Sequence, residues 1–289
     1  MAGIKELRGR ITSVGNIRQI TRAMEMVSTT KLRRFQDQAV ASKPYSEEIT
    51  GLVGRLCQVL GEDAQGQPLL QPGKGDKTLA LVVTSDRGLC GAYNSNLLKV
   101  LEKWRKDREQ PVDYMVIGKK GFGYMDRRDF EIKRFLNETS LENTDYRAAA
   151  ITARMLVREF LSGDYSEVVL VFTEFASLSK YIPKAVSLLP VSPDELAGDA
   201  EASSAETLLE PDATEIFESL MPRYLETRVY NALLESLTSE YASRRFAMTN
   251  ATEAASDMQT ELRGKYNKMR QEKITMELLD LVGGVEAVK

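Results

Sequence analysis

The strongest constraint on this chain is a hydrophobic repeat near its end. Steps of four and three from Tyr230 reach Leu234, Leu237, Tyr241, Arg244, Met248, Ala251, Ala255, Met258, Leu262, Lys265, Met269, Glu272, Met276 and Leu279. Most are apolar. A sustained 3.5-residue repeat makes a left-handed coiled coil, because the seam must keep facing its partner. Pro222 fits the first turn of such a helix, where its missing N–H costs little. From there to Val285 the helix runs roughly 95 Å at 1.5 Å per residue. No compact domain of this size needs it, so it is expected to project.

The first residues supply a partner. Ile4, Leu7, Ile11, Val14, Ile17, Ile20, Met24 and Val27 recur at helical spacing, with a run of threes that shifts the heptad phase. Gly9 and Gly15 weaken a helix, and read as points of close contact with a second one. Ala251 and Ala255 allow the same approach from the other side. The two ends are therefore expected to pair antiparallel. The alternative is two separate helices packed on the middle region.

That middle region alternates strands and helices. Strands are expected at 78–84, 114–117, 168–172 and 185–191, and helices at 97–104 and 146–161. The pattern implies a mostly parallel, Rossmann-like sheet. Residues 192–218 hold nine acidic side chains and no Lys or Arg, which suits an exposed linker. The expected organisation is an N-terminal coiled-coil helix over 1–60, an α/β domain over 76–192, an acidic linker over 193–212 and a C-terminal coiled-coil helix over 213–289. The fold class is α/β with a long antiparallel two-helix coiled coil.

Composition removes much chemistry. The chain has 289 residues, a net charge of −3 and no histidine. Histidine-based acid–base catalysis, Ser-His and Cys-His nucleophiles and histidine metal ligands are all excluded. Two cysteines, Cys57 and Cys90, rule out a disulfide framework and favour a reducing compartment. No apolar run approaches the ~20 residues of a membrane span, and the start lacks a signal-peptide core. The charge balance argues against bulk nucleic-acid binding. Thr84 to Gly91 forms a glycine-bearing loop after the first strand, where a Rossmann domain would hold phosphate. Its spacing matches neither G-x-G-x-x-G nor a P-loop, so no cofactor, metal or catalytic residue is assigned. Cys90, within this loop, and Cys57 read as packed thiols.

The basic side chains are unevenly placed. Residues 1–40 contain eight basic residues against three acidic ones. Arg8, Arg10, Arg18, Arg22, Lys31, Arg33 and Arg34 could form a solvated helix face, or a girdle that meets acidic surfaces of a partner.

Several segments, in order along the chain, resemble the γ subunit of F-type ATP synthases of bacterial type. They are Met1 to Arg8, Ile20 to Val27, Ser85 to Gly91, and Tyr266 to Leu278. The resemblance implies a rotor. In that family the paired terminal helices enter a ring of three α and three β subunits, and the α/β domain meets the ε subunit and the c-ring. Ion flow turns the shaft, which drives the β sites through different nucleotide affinities. The shaft itself is non-catalytic and lies, through the complex, on the cytoplasmic face of the bacterial plasma membrane.

Site residues carry over by position. Met24 matches the shaft methionine beside the acidic lever of β. Arg270 and Gln271 match the pair that engages a loop of β, and Arg244, Thr275 and Glu277 match polar positions coupled to it. Met276 stands where the family often has Gln, which removes a hydrogen bond there. Plant-type members carry a regulatory cysteine pair near the acidic linker; this chain has none there, so thiol switching is not expected. Outside the resemblance, the rival readings are a coiled-coil interaction scaffold without a rotary role and a Rossmann-type enzyme with helical extensions.

Overall fold

The computed structural model describes residues 3–61, 66–136, 141–143, 145–192, 196 and 212–286. Internal contacts group the chain into two units, one of residues 30–243 and one of residues 1–29 with 244–289. The expected acidic linker lies, apart from Leu196 and Asp212, outside the described residues.

The larger unit is built on a five-stranded sheet of order β3-β2-β1-β4-β5. Its strands are β1 (Lys77–Val83), β2 (Val112–Ile117), β3 (Ile132–Leu136), β4 (Tyr165–Ser177) and β5 (Lys180–Leu189). The first four are parallel, and β5 closes one edge antiparallel to β4. Helices α2 (Tyr93–Lys106), α3 (Lys119–Met125) and α4 (Tyr146–Leu161) make the crossovers.

Strand periodicity explains the unbroken apolar runs. Leu79, Leu81 and Val83 enter one core with Met115, Leu170 and the inner face of α4. Ala80 and Val82 enter the other with Val116, Val171 and Leu97 of α2. A strand covered on both faces needs apolar residues at every position. Asp145 starts α4 by accepting a hydrogen bond from the Ala148 N–H at 2.8 Å, an N-cap.

Helix α1 spans Ile4–Leu60 and helix α5 spans Ala213–Glu286. Within the larger unit they share the first core: Leu32, Phe35, Ile49 and Val53 of α1 pack with Leu225, Leu233 and Leu237 of α5. The Phe35 and Tyr241 rings lie 5.5 Å apart. Pro222 is not in the first turn. The helix begins at Ala213, after Asp212 accepts from the Thr214 N–H at 3.2 Å. The proline stands on the exposed side, where the backbone carbonyl it leaves unbonded can take water.

In the smaller unit the chain ends pair antiparallel, as expected. Thr249 Oγ1 donates to Glu25 Oε1 at 3.0 Å, and Thr252 Oγ1 to Thr21 Oγ1 at 2.8 Å. Gln259 reaches within 3.0 Å of where a Cβ on Gly15 would sit. Positions rise along one helix as they fall along the other.

The composition of this seam differs from the apolar reading. Ile17, Ile20 and Val27 are 52%, 60% and 54% exposed. The α1 seam instead runs through Leu7, Ile11, Val14, Thr21, Glu25 and Ser28, steps of four and three with one heptad step over exposed Arg18. There is no phase shift; polar residues occupy the seam where apolar ones were expected. On α5 the same holds. Met258 is 52% exposed and Gln259 only 8%, while Lys265 yields to half-buried Tyr266. Gly15 is a contact point, but Gly9 has open space around it. Every described side chain from Arg270 to Val282 is exposed, so Glu272, Met276 and Leu279 do not belong to a buried seam.

Candidate partner-contact surface

The loop after β1 is tied down by the chain's own atoms, and its acceptors reach the helix that follows β2. Thr84 Oγ1 accepts from the Gly121 N–H at 2.8 Å, Ser85 O from Lys120 N–H at 3.0 Å, and Asp86 Oδ1 from Lys119 N–H at 3.1 Å. These are the first amides of α3, whose orphan donors the loop thereby satisfies. Asn94 Oδ1 takes the Ser85 N–H at 3.1 Å, and Ser243 Oγ donates to Cys90 O at 2.6 Å. Gly118 is required: at φ 95° its position holds no Cβ, and one would meet Thr84 O at 2.0 Å. Cys90 is buried beside Asn94, and burial pushes the Cys57 thiol above its ordinary value. Neither thiol is set up as a nucleophile. Among the described residues, no group of three or more His, Cys, Asp or Glu could hold a metal.

The sequence-assigned contact residues fall into three kinds. Arg8, Arg10, Arg18 and Arg22 are exposed on α1 of the smaller unit. Arg10 pairs with Glu6 at 2.8 Å, and both are well exposed, so the pair holds it loosely. In the larger unit Arg33 and Arg34 are exposed, with the Arg34 guanidinium 5.4 Å from the Phe35 ring centroid. Lys31 differs from these. It is half-buried, ion-paired with Glu142 and set over the Tyr241 ring, whose hydroxyl donates to the same Glu142 at 2.7 Å. Its charge is spent inside the chain.

Met24 is half-buried at the border of the seam, and its carbonyl accepts from Ser28 Oγ at 2.6 Å. Arg244 is only 6% exposed, so little of it reaches a surface. By contrast Arg270, Gln271, Thr275 and Glu277 are fully available on the last turns of α5. Thr275 Oγ1 donates to Gln271 O at 3.0 Å, and Glu277 lies 3.5 Å from Lys273. The structure therefore brings four of the six together and sets Met24 and Arg244 elsewhere.

Sequence reasoning missed the exposed apolar side chains of the smaller unit. Ile17, Ile20, Met26 and Val27 on α1, and Ile274, Leu278 and Leu281 on α5, are surface residues. Exposed apolar side chains of this kind make the surface a candidate for protein contact. The signal was present: a strict three-four count through Thr21, Glu25 and Ser28 puts the isoleucines outside.

These features define a class of protein built for contact rather than chemistry. The loop after its first strand is bound to its own side chains, and its paired termini carry a mixed basic and apolar surface. The sequence profile of the ATP synthase family matches residues 3–288. ATP synthase gamma chains from Geotalea uraniireducens and Desulfosudis oleivorans are 38% and 39% identical over 292 and 300 aligned residues, with 100% of both chains covered. A chain of the Tetrahymena thermophila mitochondrial ATP synthase central stalk and c-ring is similar at TM-score 0.60 and 27% identity, over 80% of this chain and 99% of that one. A chain of the Euglena gracilis mitochondrial ATP synthase has the same fold at TM-score 0.66 and 21% identity, over 99% and 94%. The chain belongs to the ATP synthase gamma chain family.

Proposed function

We propose that this chain is the central rotor shaft of F1Fo ATP synthase. It couples ion-driven rotation of the c-ring to sequential conformational change at the catalytic sites of β. The observation that carries the reading is the antiparallel seam between the chain's two ends, with side-chain hydrogen bonds crossing it at Thr21 and Glu25. A shaft must transmit torque, and a two-stranded seam spreads that load over many contacts. Full-length relatives named gamma chain favour this over a scaffold without a rotary role.

The chain is a non-catalytic subunit. Its partners are the α and β subunits, the ε subunit and the c-ring. No helix among the described residues is long and apolar enough to cross a membrane, so it meets the membrane through the complex. The reading extends to a peripheral position on the cytoplasmic face of a bacterial plasma membrane.

Arg8, Arg10, Arg18, Arg22, Arg33 and Arg34 supply attraction to acidic side chains of β, each worth about 0–1 kcal/mol when exposed. Weak, separate contacts suit a shaft that must leave one β for the next. Arg270, Gln271, Thr275 and Glu277 form a polar contact near the end of α5, and Met24 a second contact on α1. Arg244, being buried, acts by holding its helix in place. The expected experiment is reconstitution: the chain co-purifies with α and β and is required for coupled turnover, while alone it neither binds nor hydrolyses ATP. Tight ATP binding by the lone chain rejects the reading.

A further inference from the structure

Within the larger unit, α5 meets the sheet through buried hydroxyls. The pairing of β1 with β4 ends at Val82 and Val171, and across β5 Thr173 faces Pro183, which has no N–H to give. Helix α5 engages the Thr173 backbone instead. The Thr173 N–H donates to Ser236 Oγ at 3.4 Å, and Ser239 Oγ donates to Thr173 O at 3.3 Å. One turn on, Ser243 Oγ donates to Cys90 O at 2.6 Å, in the loop after β1. All three serines are buried.

Stability alone does not account for this seat. The Tyr93 hydroxyl approaches Ser236 and Thr173, yet it and Thr173 Oγ1 are buried without completing a hydrogen bond. A buried hydroxyl without a partner costs at least what one good hydrogen bond returns. The two bonds to Thr173 are long, so apolar side chains of the same shape would hold the helix as firmly. What hydrogen bonds add is direction. They weaken steeply when misaligned, whereas apolar attraction has no preferred direction. A hydroxyl seat therefore opposes sliding and turning more than separation.

The grip is two-sided. At about 100° per residue, Ser236, Ser239 and Ser243 fall within about 60° of one another on α5, and Tyr241 lies roughly opposite. The Tyr241 hydroxyl donates to Glu142 Oε2 at 2.7 Å, in the helical turn Leu141–Asn143. Glu142 also pairs with Lys31 of α1. One carboxylate of the α/β domain thus holds both long helices. Restraints on opposite sides of α5 form a couple against its turning on the sheet.

We propose that Ser236, Ser239, Ser243 and Tyr241, with Lys31 and Glu142, are positioning residues that key both helices to the α/β domain and carry torque between them. This rests on the shaft reading, and its test separates the two. In the assembled complex α and β are fixed to a surface, and a bead is attached to the exposed face of α2 through Lys103→Cys; Cys57 and Cys90 are buried. ATP drives the complex, and the angular variance of the bead is read at each pause. It is expected to grow at least twofold in Ser239→Ala/Ser243→Ala and in Glu142→Ala. Glu142 is half-buried, so its variant folds even where the serine pair does not. Leu233→Ala, which removes core packing from the same helix, lowers the melting temperature without that growth. An unchanged variance in either hydrogen-bond variant that assembles, or equal growth in Leu233→Ala, overturns the proposal and leaves the shaft reading standing. A bead that does not turn in the parent complex overturns both.

Discussion

The Thr252 hydroxyl donates to the Thr21 hydroxyl across 2.8 Å, joining two helices 231 residues apart in sequence. Thr252 also lies 2.8 Å from its own Met248 carbonyl, so its proton is shared between a local and a cross-helix acceptor. Replacing Thr252 by Val should cost about 1 kcal/mol, the usual worth of one such bond. The Thr21→Val, Thr252→Val pair should cost less than the two single changes summed, because both remove the same contact. Chemical denaturation of the four variants checks this; strict additivity would mean the hydroxyls do not interact.

Glycine positions on α1 should separate by what faces them. A methyl group added at Gly9 would meet nothing within 4 Å, so Gly9→Ala should raise stability by about 0.5–1 kcal/mol through helix propensity alone. Gly15→Ala gains the same propensity but crowds Gln259 at 3.0 Å, and should gain less. Thermal melts of the two variants order them.

Glu235 gives a pH signature. Burial raises its folded-state pKa from 4.5 to about 7, so the folded chain holds the proton more tightly than the unfolded one. Stability from this group is complete below about pH 4.5 and is lost as pH rises through 7. Glu235→Gln should match the native chain at pH 5 and exceed it by about 1–2 kcal/mol at pH 8. Equal stability at both values would show that the carboxyl titrates normally.

Glu226 differs from Glu235 in having its hydrogen-bond partners in place. It is 2% exposed, bonded by Arg154 Nε at 2.8 Å and by the Tyr146 hydroxyl at 3.3 Å. Arg154 is well exposed and Tyr146 half-buried, so both donors can turn to water and the cost lies mainly in the lost packing of a buried side chain. Glu226→Ala should destabilise by about 1–2 kcal/mol, read as a lower denaturation midpoint.

Exposed arginines should show the reverse pattern to these core changes. Neutralising Arg8, Arg18 and Arg22 together should leave the lone chain's stability within about 0.5 kcal/mol. In the assembled complex it should lower turnover, with the deficit shrinking as salt rises. A salt-independent deficit would point to packing rather than charge.

Much of the fold was legible because burial on two faces leaves a plain mark. Helix α4 lies at Tyr146–Leu161, the expected limits, since Asp145 caps it and its apolar spacing is regular. Strand β3 was hidden: Lys133 and Arg134 interrupt Ile132–Leu136, as an edge strand allows. Strand β5 starts at Lys180, earlier than expected, because Pro183 and two lysines disguise a strand whose outer edge needs no donor. Helix α3 carries two glycines and is held by bonds from Thr84, Ser85 and Asp86 rather than by propensity. The contact surface was read less well than the fold. Hydrophobicity assigned Ile17, Ile20 and Val27 to the seam, whereas Thr21, Glu25 and Ser28 fill it. A seam sealed by hydrogen bonds is invisible to an apolar count, and the apolar residues it releases become surface.

The central claim is that this chain turns inside its complex. The most direct test fixes the α and β subunits to a surface, attaches a probe to this chain, and follows the probe on addition of ATP. The shaft account predicts stepwise rotation in one direction that stops when ATP is removed. A probe that stays still while the same complexes hydrolyse ATP would contradict it.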